Sequence, residues 1–133
     1  MRVLIVDDEM GMRLFLRTLF ETGGHEAVVA RNGQEGLARA REIRPHLVVL
    51  DVMMPGGGGL VMYRALRNDA DLAATPVIML SGVKGSTFAH ALELYDAAAG
   101  TLPPPEAYVE KPPRPDEILA LAERLTGCTA SCG

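Results

Sequence analysis

Tryptophan is missing from this chain, and cysteine is confined to Cys128 and Cys132 in the last six residues. A fold stapled by disulfides is therefore excluded, and at 133 residues the chain is long enough to bury a core without them. Two thiols do not fill a tetrahedral zinc site, and a reducing cytoplasm disfavours a bridge between them. Residues 127–133 are accordingly expected to form a flexible tail behind a domain spanning 1–126; a redox or dimer-linking pair would instead give a covalent dimer that reductant dissolves. Long apolar runs are also absent. None approaches the roughly 18 residues of a membrane span, and Met1-Arg2 leads into a short strand-like run rather than a signal peptide, so a cytoplasmic protein without membrane contact is expected. Nor is there a basic excess: thirteen Lys and Arg against seventeen Asp and Glu leave a net charge of -4. That balance offers no surface for neutralising phosphates, which argues against direct nucleic-acid binding and for a protein partner.

What is present is a soluble globular composition, 48% hydrophobic and 23% charged, arranged as an alternation of strand and helix patterns. Arg2-Val3-Leu4-Ile5-Val6 is a first strand running into Asp7-Asp8-Glu9. Met12, Phe15, Leu16, Leu19 and Phe20 then recur on one helical face, which Gly23-Gly24 ends. Ala27 to Ala30 is a second strand, and Asn32-Gly33 opens a helix with Leu37, Ala40 and Ile43 inward before Pro45. Leu47-Val48-Val49-Leu50 is a continuous apolar run that fits a strand covered on both faces, and it delivers Asp51 to its end. Gly56 to Gly59 lacks both phosphate-loop patterns and reads as a flexible turn. The next helix carries Leu60, Tyr63, Leu66 and Arg67, with a polar exit over Asn68 to Thr75. A fourth strand from Pro76 ends at Ser81-Gly82, an alanine-rich helix follows from about Ser86 to Ala98, and Ala107 to Lys111 is a fifth strand. Pro115 opens a last helix with Ile118, Leu121, Ala122 and Leu125 inward. Five such alternations predict an α/β fold, a doubly wound parallel sheet with right-handed crossovers, whose ligands bind beyond the carboxyl ends of the strands.

Those strand ends carry Asp7, Asp8, Asp51, Ser81 and Lys111. A charge at the end of a buried strand is costly unless it has a partner, although taken singly Asp51 also reads as a loop cap. Three clustered carboxylates repel one another, and a hard divalent cation with oxygen ligands, Mg2+, is the simplest relief. An acidic pocket with a metal suits phosphoryl transfer, with Asp51 as the nucleophile. The Lys111 ammonium and the cation would share the phosphoryl oxygens, and Ser81 would donate to a third.

Val3-Leu4-Ile5-Val6-Asp7-Asp8-Glu9, Leu50-Asp51-Val52-Met53-Met54-Pro55, Val77-Ile78-Met79-Leu80-Ser81 and Tyr108-Val109-Glu110-Lys111-Pro112, in this order and spacing, make the chain resemble a receiver domain of the two-component response regulator family. The resemblance covers nearly the whole chain and implies a flavodoxin-like (βα)5 sheet of strand order 2-1-3-4-5. It implies that Asp51 accepts phosphate from a sensor histidine kinase or phosphotransfer protein in a phosphorelay. Asp8, Asp51 and the Met53 backbone carbonyl would hold Mg2+, with Asp7 acting through water. Lys111 would contact the phosphoryl group, helped by a cis peptide before Pro112. It implies a switch as well, in which Ser81 moves toward the phosphoryl group and the Tyr108 ring turns into the vacated space; Tyr108 as a plain core aromatic is the competing reading. A downstream protein target is implied, with a homodimer as a further option.

The chain departs from the family pattern in the interval between Ser81 and Lys111, which is longer than usual, with the surplus between Val83 and Ala107. Either a reshaped partner surface or a tolerated surface loop fits that surplus. Met53 and Val83, each two residues beyond a site residue, offer no group to orient water, so slow self-dephosphorylation is expected, partly offset by Gly82. Eight residues after Leu125 leave no room for an output domain, so a single-domain switch that is not an enzyme is expected. The alternative from another class is a magnesium-dependent phosphohydrolase with an aspartyl nucleophile. Such enzymes place their acids as D-x-D after the first strand, whereas Asp7 and Asp8 are adjacent.

Overall fold

A computed structural model describes residues 1–54, 58–82 and 103–127. Five strands form one parallel sheet in the order β2-β1-β3-β4-β5. They are β1 (Arg2–Val6), β2 (Glu26–Ala30), β3 (Leu47–Asp51), β4 (Val77–Ser81) and β5 (Ala107–Glu110). Four helices lie among the described residues: α1 (Met10–Thr22), α2 (Gly33–Ile43), α3 (Gly58–Arg67) and α4 (Pro115–Thr126). The helix expected from Ser86 to Ala98 falls outside them.

The apolar runs behave as strands covered on both faces. In β1, β3 and β4 successive side chains go to opposite sides, as the period of two requires. Leu4, Val6, Val48, Leu50, Val77 and Met79 pack with α2 and α3, around Ala40, Met62, Tyr63 and Leu66. Val3, Ile5, Leu47, Val49, Ile78 and Leu80 pack on the other face with α1 and α4, around Leu16, Phe20, Ile118 and Ala122. The edge strands β2 and β5 are only half-buried.

Local signals explain three of the helix ends. Asn32 caps α2, its side-chain oxygen accepting from the Glu35 N–H at 2.8 Å. Proline opens α4 and Gly127 closes it in the left-handed region at φ 67. Two expectations are corrected. Gly58 and Gly59 are not a flexible turn but the first turn of α3. The reason is close packing: a Cβ on Gly59 would stand 2.6 Å from the Asp51 carbonyl oxygen and from Val52 Cα. Likewise Asn68 to Thr75 is not wholly a polar exit, since Leu72 is buried in the core with α3.

Chain order and strand order reverse between β1 and β3. From β1 the chain moves out to β2 by way of α1, then crosses the opposite face through α2 to β3. Loops leaving the carboxyl ends of β1 and β3 therefore diverge, and the crevice between them is where this architecture binds ligands.

Candidate functional site at the carboxyl edge of the sheet

Asp7 follows β1 directly and Asp51 is the last residue of β3, so both flank that crevice. Both are buried, Asp7 fully and Asp51 to 2% exposure, while Asp8 faces solvent. Carboxylate oxygens of Asp7, Asp8 and Asp51 lie within 4.8 Å of one another. Lys111, one residue beyond β5, reaches across β4 to join them. Its Nζ donates to Asp7 Oδ2 at 2.9 Å and stands 3.4 Å from Asp51 Oδ2. The Lys111 N–H donates to the Ser81 carbonyl at 2.8 Å, which ties the lysine to the end of β4. The Lys111–Pro112 peptide is cis.

Ser81 is buried at the end of β4, one residue past Leu80, the registered partner of Asp51. Tyr108 pairs with Met79 in register and is half-buried against the α2–α3 half of the core. Met53 is 60% exposed, and its N–H donates to Asp51 Oδ1 at 3.1 Å. The structure thus brings Asp7, Asp8, Asp51 and Lys111 into one cluster, with Ser81 and Met53 on adjoining backbone. Val83 and both cysteines lie outside the described residues.

Sequence reasoning passed over three supports. The Arg13 guanidinium donates to the Asp7 carbonyl at 2.8 Å, the Glu9 N–H donates to Asp7 Oδ1 at 2.9 Å, and Gly59 packs on the Asp51–Val52 backbone. Arg13 had a findable signal, since a basic residue in the opening turns of α1 stands close to the strand end that precedes it.

Burial pushes the Asp51 carboxyl up to about 6, the Asp7 charge adds to the rise, and Lys111 with the Met53 N–H oppose it. For Lys111, burial pulls the ammonium down, but the hydrogen bond to Asp7 and the charges of Asp51 and Asp7 outweigh it and leave it raised. The donor set consists of hard oxygens carrying more negative charge than one lysine neutralises, which fits a small hard dication such as Mg2+.

A consequence for stability follows from the raised Asp51 carboxyl. The native state binds its proton more tightly than the unfolded chain, so this group's contribution is greatest below pH 3.8 and is lost as pH rises to about 6. Asp51→Asn keeps the shape without the charge. In metal-free buffer its melting temperature should match the wild type near pH 4 and exceed it above pH 6, by the equivalent of about 1–3 kcal/mol. A constant gap across that range would contradict burial as the cause.

A parallel doubly wound sheet of order 2-1-3-4-5, with an acidic cluster and one lysine beyond its strand ends, defines the flavodoxin-like class to which chemotaxis-type receivers belong. The chain belongs to the response regulator receiver domain family, whose model matches residues 3–123. It is 40% identical over 80 residues to Protein PilH of Pseudomonas aeruginosa, covering 60% of this chain and 66% of that protein. It is 34% identical over 119 residues to the DNA-binding response regulator MtrA of Mycolicibacterium smegmatis, covering 90% of this chain but 47% of that one. The chain therefore spans about two thirds of the first of these relatives and about half of the second. Among solved structures it resembles chemotaxis protein CheY4 of Vibrio cholerae, with a TM-score of 0.76 and 27% identity over 92% of this chain and 96% of that one. The receiver domain of Francisella response regulator 1452 gives the same TM-score at 28% identity, over 95% and 96%. Receivers of two-component systems are signalling switches and are generally not classed as enzymes. Among the described residues no helix is long and apolar enough to cross a membrane.

Proposed function

We propose that this domain is a cytoplasmic phosphorylation switch in which Asp51 accepts a phosphoryl group from a sensor histidine kinase or a phosphotransfer protein. One observation carries the reading: a buried carboxylate at a switch-point strand end, with two more acids within 4.8 Å and a lysine at 3.4 Å. An Asp51 carboxylate oxygen forms a bond to phosphorus while the bond from phosphorus to the donor nitrogen breaks. The pair of electrons from that bond stays on the histidine ring, which takes up a proton. Lys111 is already held by Asp7 at the rim, and its ammonium would meet the incoming oxygens. Ser81 would donate to another oxygen, and Tyr108 would turn inward behind it, so that phosphorylation shifts the population between two packings. Asp8, Asp51 and the Met53 carbonyl would hold Mg2+, with Asp7 acting through water, and the ion would supply positive charge where the transferred group is negative. The output is the docking of a downstream protein or a second receiver. MtrA is named for DNA binding, but this chain spans under half of it, and a net charge of -4 favours a protein partner.

Incubation with acetyl phosphate and Mg2+, followed by intact mass, tests the reading. One phosphoryl adduct on the wild type and none on Asp51→Asn is the expected result; an adduct that survives in the variant would overturn it. For the switch, a single Tyr108 rotamer in both free and beryllofluoride-bound crystals would be decisive against movement. Met53, exposed and apolar, leaves water near the acyl phosphate without a hydrogen-bonding guide. Met53→Asn should shorten the adduct's lifetime severalfold by the same mass assay, and an unaltered lifetime would remove the basis for slow self-dephosphorylation.

A further inference from the structure

The absence of a side chain at Gly59 leaves α3 in contact with the backbone that presents Asp51. A Cβ there would lie 2.6 Å from the Asp51 carbonyl oxygen, 2.6 Å from Val52 Cα and 2.7 Å from the Val52 carbonyl oxygen. All three are backbone atoms and none can swing aside as a side-chain tip would. The Asp51–Val52 peptide is held from its other side as well, since the Val52 N–H donates to the Leu80 carbonyl of β4 at 3.0 Å. Its position is thus fixed between β4 and the first turn of α3. That turn is in turn braced by α2: a Cβ on Gly33 would stand 2.7 Å from the Gly58 carbonyl oxygen. Backbone thus meets backbone from α2 to α3 and from α3 to the Asp51 strand end.

We propose that Gly59 is a positioning residue for the Asp51 site, acting through the Asp51–Val52 backbone, with Gly33 bracing it from α2. The inference rests on Asp51 as phosphoacceptor for its kinetic part and stands apart from that reading for its metal part. A Cβ at 59 must move the Asp51–Val52 peptide or the helix by several tenths of an ångström. Displacements of that order at a reacting carboxylate cost rate steeply, because the attacking oxygen and its charge partners must stay aligned. Gly36 supplies the control. A Cβ there would meet the Met62 sulfur at 2.8 Å and Val6 Cγ2 at 2.9 Å, side-chain atoms in the core rather than the backbone of the site.

The test compares wild type, Gly59→Ala, Gly33→Ala and Gly36→Ala by three measurements: melting temperature, Mg2+ affinity from the metal-dependent rise in that temperature, and initial rate of adduct formation at low and saturating acetyl phosphate. Gly59→Ala should lose about tenfold or more in the saturating rate and severalfold in Mg2+ affinity while still folded. Gly36→Ala should melt lower with both site readouts unchanged. Should Gly59→Ala fail to fold, Gly33→Ala carries the test with a smaller loss in the same two readouts. Wild-type rate and Mg2+ affinity in the folded variant, or equal losses in Gly36→Ala, would overturn the proposal. Absence of an adduct on the wild type would instead overturn the phosphoacceptor reading, leaving Mg2+ affinity to decide the role of Gly59.

Discussion

Lys111→Met is expected to slow adduct formation from acetyl phosphate by about 10²-fold or more while making the protein bind Mg2+ more tightly. Opposite signs arise because the ammonium has two neighbours of one kind. It stands 2.9 Å from Asp7 and 3.4 Å from Asp51, so it neutralises carboxylates that are otherwise open to a cation. Removing it raises the negative charge at the rim, which attracts the dication and repels the incoming phosphoryl group. Methionine preserves the length and the apolar stem, so what is lost is the ammonium, with its charge and its hydrogen bond to Asp7. Without Lys111 one of the forces that lowers Asp51 is gone, and its carboxyl should rise above about 6. In metal-free buffer the Asp51 carboxyl of the variant should then titrate at a higher pH than in the wild type, read from its side-chain carbon NMR signal. A variant that loses adduct formation and Mg2+ affinity together would point to a damaged fold instead of a lost charge, and a wild-type rate would remove Lys111 from the proposed mechanism.

Much of this arrangement is written locally in the chain. The strands are legible because Val3 to Val6, Leu47 to Leu50 and Val77 to Leu80 are continuous apolar runs, which a sheet covered on both faces requires. The cluster is legible because parallel strands all end on one edge, so polar residues that close successive runs must meet there. What escaped notice is what depends on distance across the fold. Counting a helical face from Leu60 leaves out Met62, which is buried while Leu60 is only half-buried, because nothing local in a glycine run marks Gly58 as the start of α3. Glycines that pack against backbone look the same in sequence as glycines that bend a chain, and only the approach of α3 to Asp51 tells them apart. Arg67 was placed on its helix, but nothing near it in sequence announces Glu106 as its partner, 39 residues on.

Arg67→Ala should destabilise the fold by about 1–3 kcal/mol, roughly 5–10 °C in melting temperature, with the site left working. The side chain is 5% exposed at the carboxyl end of α3. Its guanidinium lies 4.8 Å from the Tyr63 ring centre, and Nε donates to the Tyr63 hydroxyl at 3.1 Å. Nη1 donates to the carbonyls of Ala73 at 3.1 Å and Thr75 at 2.7 Å, and Nη2 to Glu106 Oε2 at 3.0 Å. Glu106 in turn accepts from the Val77 N–H at 2.8 Å, and the Tyr63 hydroxyl donates to the Pro103 carbonyl. One cation thus joins α3, the loop after it, the start of β4 and the approach to β5. Alanine would take the donor from the half-buried Thr75 carbonyl, the cation from beside Glu106 and the cover from the Tyr63 ring, while water would take over at the exposed Ala73 carbonyl. Lysine keeps the charge but offers a single donor atom, so Arg67→Lys should recover little. The network sits at the start of β4, whereas Ser81 ends it, so at temperatures where the variant is folded its adduct rate should equal that of the wild type. A double-mutant cycle with Glu106→Gln measures the coupling, and additive losses would show that the carboxylate is not what Arg67 holds.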